Sequence, residues 1–244
     1  MRFTLPLVAA LGLSACATQF DTPSNLSRTD QLGPGERRFV EVEEYADADA
    51  LDGLMRIALP PAEYAPGVVE AARLDPDAAE RLRARLSQAL CQRLARAGYE
   101  ISAEPMEGET ELRATITGVT RNNVASTGVS RAVGVAVPGP LNPRVPVGIG
   151  ALGAEAELLT AEGEQIAAMR WASRNHLASG GGVTTILEGR DGFSEIADAV
   201  ELSSVFADAF GDLLVETRPE GMEERGETPL GACRVYDEKT EGEG

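Results

Sequence analysis

An apolar side chain returns every fourth residue from Ala78 through Leu82, Leu86 and Leu90 to Leu94, with Ala79 and Cys91 beside the row. That spacing is one face of an α-helix. Asp75 is placed to cap its N-terminus, Pro76 fits the first helical position, and Asp77 and Glu80 suit the positive end of the dipole. Gly98 supplies the stop. Arg81, Arg83, Arg85, Arg93 and Arg96 lie mostly off the stripe. A helix apolar along one side must bury that side against another layer.

The rest of the chain supplies that layer. Arg38 to Val42 and Leu54 to Leu59 are short strand signals, the second stopped by Pro60 and Pro61. After the helix, Tyr99 to Ala103 reads as a strand. Leu112, Ala114 and Ile116 then alternate with Arg113, Thr115 and Thr117, a half-buried strand pattern. Ala154, Ala156 and Leu158 alternate with Glu155 and Glu157, Glu162-Gly163 has the form of a hairpin turn, and Ile166 to Ala172 is the return strand. A second amphipathic helix is expected from about Asp191 to Glu216, ended by Pro219. The order predicts an α+β two-layer sandwich, with two main helices packed on one face of a mostly antiparallel sheet.

The N-terminus carries an address. Met1-Arg2 precede an apolar run from Phe3 to Leu13, which has the form of a secretory signal and is too short to span a bilayer. Leu13-Ser14-Ala15-Cys16 follows and resembles the lipobox of bacterial lipoproteins. The resemblance implies cleavage after residue 15, diacylglycerol on Cys16 and acylation of its new amino group, a combination that makes release from the membrane negligible. Ala17, in place of an aspartate, points to the periplasmic face of the outer membrane. The expected organisation is therefore a signal peptide over 1–15, a lipidated cysteine and flexible tether over 16–36, an α+β domain over 37–218, and an acidic tail over 219–244. That tail is poor in apolar residues and expected to be largely disordered except around Cys233.

With a formal net charge of -17, the chain repels nucleic-acid backbones, so a nucleic-acid partner is not expected. Once Cys16 is assigned to lipid, Cys91 and Cys233 remain. In an oxidising compartment they read as a disulfide pinning the tail to the core, with two free cysteines as the alternative.

The tether, the run Leu54 to Leu59 and the helix Asp75 to Ala97 together resemble a family of bacterial lipoproteins catalogued as a domain of unknown function, the DUF3313 group. The stretch Glu111 to Val119 resembles that family's central strand, and Gly153 to Leu159 with the turn at Glu162-Gly163-Glu164 resembles its hairpin. The resemblance covers roughly residues 16 to 218. It implies envelope location and carries no catalytic residues.

Gly148 to Gly153 spells G-x-G-x-x-G, but dinucleotide binding needs a helix after it, and here a strand pattern follows. Asp47, Asp49, Asp52 and Gly53 are out of register for a calcium loop. His176 is the only histidine, with no serine elbow and no cysteine cluster to serve a triad or a zinc site. Glu155 and Glu157 share a strand face as a glycosidase pair would, but aromatics are 5% of the chain, and an exposed polar face is the expectation. No cofactor or metal is expected.

One stretch stands out. A chain with 39 acidic residues has none between Leu112 and Ala154, where Arg113, Arg121, Arg131 and Arg144 are the only charges. Its middle is rich in Gly, Val, Ala and Pro, and Arg121, Arg131 and Arg144 are the candidate interaction residues, the alternative being a partly buried hairpin. The expected role is non-enzymatic: partner binding or envelope organisation, through another envelope protein, self-association or an anionic surface. The alternatives are an anchored envelope hydrolase, which would need His176, or a small-ligand carrier, which would need an apolar pocket between sheet and helices.

Overall fold

The computed structural model describes residues 24–37, 40–106, 108–121, 150–174, 195–218 and 230–236. Strands β1 (Gly33–Pro34) and β2 (Val40–Ala46) lead to the one-turn helix α1 (Ala48–Leu51). Two short strands, β3 (Arg56–Ala58) and β4 (Glu63–Tyr64), precede helices α2 (Val68–Ala72) and α3 (Pro76–Arg96). Then come β5 (Glu100–Ser102), β6 (Glu111–Thr120), β7 (Ala151–Leu159) and β8 (Gln165–Arg174). Helix α4 (Ala197–Thr217) and a 3-10 helix (Leu230–Tyr236) complete the order.

The caps explain where α3 begins and ends. The Asp75 side chain accepts the Ala78 N–H at 2.8 Å, with proline at the first turn. At the other end Gly98 has φ 93°, and the Gly98 and Tyr99 N–H groups donate to Ala95 O and Leu94 O. That crossed pair is the Schellman arrangement, which glycine adopts without steric cost.

The eight strands form one mixed sheet, ordered β1-β2-β8-β7-β6-β3-β5, with β4 also paired to β6. The five strands from β1 to β6 along this path are antiparallel to their neighbours. The far end is parallel: β3 pairs with both β5 and β6, and β4 with β6. Parallel neighbours need a crossover, and α2 and α3 supply it between β3 and β5. The fold is thus α+β, with a parallel end to an otherwise antiparallel sheet.

Residues opposite one another across paired strands share a face. Val42, Trp171, Ala154 and Ile116 form one such row, and Met169, Ala156 and Ala114 another. These face the helices: Trp171 meets Phe206 of α4 edge-on at 5.8 Å, and Phe206 stacks on Phe210. Leu82, Leu86, Leu90 and Leu94 of α3 are fully buried in the same core.

Arg93 departs from the off-stripe expectation. It is buried between the helices, with Nη2 2.7 Å from Asp212 Oδ1 and Nε 3.9 Å from Asp208 Oδ1. Gly211 makes room for it. A Cβ at position 211 would overlap Arg93 Cγ and lie 2.9 Å from its Nε. Gly211→Ala gains helix propensity but crowds the buried Arg93 side chain, and the net result expected is a loss of about 1–2 kcal/mol in urea unfolding.

Cys91 and Cys233 are disulfide-bonded, with Cα atoms 5.6 Å apart. The bond holds the 3-10 helix on α3, and the Tyr236 hydroxyl donates to the carbonyl of Leu59. Burial pushes the Tyr236 phenol above its ordinary range. Nearby, the Arg218 guanidinium lies 3.7 Å over the Tyr99 ring and also donates to the Ala97 carbonyl. Arg218 takes the extended backbone that a residue before proline prefers.

Candidate functional site

The second face of the sheet is polar. Glu43, Arg170, Glu155 and Thr115 stand in register across β2, β8, β7 and β6. Arg170 bridges two carboxylates: Nη1 is 3.2 Å from Glu43 Oε2, and Nε is 2.8 Å from Glu155 Oε1. The next row holds Tyr45, Ala168, Glu157 and Arg113.

Glu155 and Glu157 are 2% and 4% exposed, so the expectation of an exposed polar face is corrected. What covers them is the chain's own N-terminal part. The Asn25 N–H donates to Glu155 Oε2 at 2.8 Å. The Ser27 N–H donates to Glu157 Oε2 at 2.7 Å, and its hydroxyl to Glu157 Oε1 at 3.0 Å. Gln165 Nε2 adds a contact of 3.3 Å to Glu157. Every oxygen of the pair is engaged, which suits two carboxylates that hold backbone rather than two poised for acid–base chemistry.

From there the chain crosses toward the sheet edge and joins it as β1, pairing Gly33 with Glu44 and Pro34 with Glu43. The Gly35 N–H bonds Val42 O, and Arg37 reaches Ala209 O at 3.0 Å. Residues 24–36 were expected to belong to a flexible tether. They form instead a strap bonded to the sheet, because alternate backbone N–H groups meet carboxylates spaced two residues apart on one strand face.

Beside the strap runs a groove of about 540 Å³. Arg113 and Thr115 of β6 floor it, Asn25 and Ser27 form one wall, and Pro60, Pro61 and Glu63 form the other. Arg113 Nε is 2.7 Å from Glu111 Oε1, and that hydrogen bond raises the guanidinium's already high pKa. The groove lies on the face away from the helices, so it is not the apolar pocket that a carrier would place between sheet and helices.

The other sequence candidates separate. Arg121, just past β6, is paired with Glu195 at 2.6 Å. Arg131, Arg144, His176 and Cys16 lie outside the described residues. Gly150 donates its N–H to the buried Asp198 at 2.8 Å, and Ala151 already begins β7, so the glycine motif feeds a strand and not a helix. Asp47 caps α1 by accepting the N–H groups of Asp49 and Ala50. No group of three or more His, Cys, Asp or Glu side chains that could hold a metal occurs among the described residues.

Sequence reading missed the strap. Its partner network was partly legible, since counting back from the Glu162-Gly163 turn sets Glu155 opposite Arg170.

The described residues thus define an α+β sandwich whose polar sheet face is strapped by its own N-terminal segment. Residues 22–200 match the family described as "Protein of unknown function (DUF3313)", and the chain belongs to that family. No curated protein matches. Among solved structures, a PelC dodecamer from Paraburkholderia phytofirmans is similar at a TM-score of 0.42 and 12% identity, covering 74% of this chain and 99% of that one. A second PelC dodecamer from the same organism, a point variant, gives 0.41 and 14%, covering 71% and 97%.

Proposed function

We propose that this protein is an exported lipoprotein, acylated on Cys16 and held on the periplasmic face of the outer membrane. There it serves by binding a partner or organising the envelope rather than by catalysis. The observation that carries the reading is Leu13-Ser14-Ala15-Cys16 directly after a short apolar core. The Cys91–Cys233 disulfide supports it, because such bonds persist in oxidising compartments. The non-enzymatic part is supported by the engagement of both Glu155 and Glu157 by the strap. The partner surface is the acid-free stretch bearing Arg121, Arg131 and Arg144, whose guanidinium groups suit carboxylate or phosphate partners.

The test is metabolic labelling with radioactive palmitate, followed by fractionation. The wild-type chain is expected to carry label and to sediment with outer membrane. Cys16→Ser is expected to lose the label and remain unprocessed. Label retained by Cys16→Ser, or none on the wild type, refutes the anchor.

A further inference from the structure

The strap carries a geometrical consequence. Asn25 is fixed over Glu155 of β7, and β7 is fourth in the seven-strand path β1-β2-β8-β7-β6-β3-β5. The strap's first bonded residue thus lies over the middle of the open sheet face, beside the groove, and not at an edge or on the helix layer. From Cys16 to Asn25 the chain can span at most about 30 Å even when fully drawn out.

That reach is short relative to the domain. From β7 to either edge of the sheet is three strand spacings, about 14 Å. Passing the helix layer adds about 10 Å of layer separation and about 5 Å of helix radius. Bringing α3 and α4 down onto a bilayer would therefore consume the whole length, in a straight line over the sheet edge. Turning the open face toward the bilayer consumes almost none of it. The strap itself resists peeling, since it is held by three hydrogen bonds to Glu155 and Glu157, by the β1–β2 pairing, and by Arg37 on α4.

We infer that the strap orients the domain on its membrane, with the open sheet face and its groove toward the lipid surface and the α3–α4 layer directed away from it. This rests on the reading of Cys16 as the anchor. Around the groove the face brought near the lipid carries the exposed Glu63 and the Glu111–Arg113 pair.

The test anchors the chain chemically, so that it does not depend on acylation by the cell. The chain beginning at Cys16, with Cys91 and Cys233 oxidised, is coupled through the Cys16 thiol to vesicles bearing a maleimide headgroup. Hydroxyl-radical footprinting then compares it with the uncoupled protein. Oxidation at Leu26, beside the groove, and at Tyr45, in the Glu157–Arg113 row of the same face, is expected to fall several-fold on coupling. Val205, the exposed apolar residue on α4, is expected to keep its rate. Inserting a Gly-Ser linker of about ten residues after Pro23 lengthens the leash without touching the fold and should restore oxidation at Leu26 and Tyr45. Protection of Val205 equal to or greater than that of Leu26 and Tyr45 overturns the orientation. So does protection that survives the linker. Failure of palmitate labelling in cells would instead count against Cys16 as the native anchor, leaving the footprint to judge the strap geometry separately.

Discussion

Replacing Cys91 and Cys233 together by serine is expected to lower the unfolding free energy by about 5 kcal/mol. The two residues are 142 positions apart, and the chain-entropy relation for a loop of that size gives a value near the top of its range. Both cysteines are buried, at 0% and 2% exposed, so serine also places hydroxyls in an apolar setting. The loss reaches beyond the bond. The 3-10 helix Leu230–Tyr236 would be left with the Tyr236 contact to Leu59 as its main polar tie to the body. Urea unfolding followed by Trp171 fluorescence measures the effect. A double serine variant within about 1 kcal/mol of wild type would show that the 3-10 helix is held without help from the bond.

Removing Arg170 is the second large expected effect. Its side chain is 14% exposed and stands between Glu43 and Glu155, and Glu155 is 3% exposed at the side chain. Arg170→Met leaves a carboxylate nearly sealed from water with, among the described residues, the Asn25 N–H as its remaining partner, and a cost of about 3–5 kcal/mol is expected. The control separates charge from shape. In Arg170→Met combined with Glu155→Leu the stranded charge is gone, and most of the stability should return. The strap should behave differently, since Glu155→Leu removes the acceptor for Asn25. Amide hydrogen exchange at Asn25 should therefore rise in the double variant even as global stability recovers. If the single variant unfolds like wild type, the Arg170–Glu155 pair contributes little.

What the sequence made legible is what short-range chemistry writes into it. Helix α3 could be bounded to within a residue because Asp75, Pro76 and Gly98 each have one strong local preference. The β7–β8 hairpin was readable because two alternating runs flank Glu162-Gly163, and Gly163 does take a positive φ of 82°. The parallel pairing of β3 and β5 was not, since three-residue strands such as Arg56–Ala58 show no period and their partner lies beyond α3. The burial of Glu155 and Glu157 was hidden for a related reason. Alternation assigns them to the face opposite Ala154 and Ala156, but it cannot say whether water or chain covers that face. The strap that covers it contributes backbone N–H groups, and those are the same whatever the side-chain composition. A segment rich in Ser, Thr, Asn and Pro therefore looks like a linker even where it is bonded at alternate residues.

The Cys91–Cys233 bond also has a topological meaning. It closes a covalent ring that contains β5 through β8 and all of α4, while β1 to β4 are supplied by chain outside the ring and pair into the same sheet. A single backbone cut anywhere within the ring, including the acid-free stretch between β6 and β7, therefore severs the chain without separating its pieces. A nicked molecule would keep its mass, its strand pairings across the cut and its attachment, and would show two fragments only after reduction.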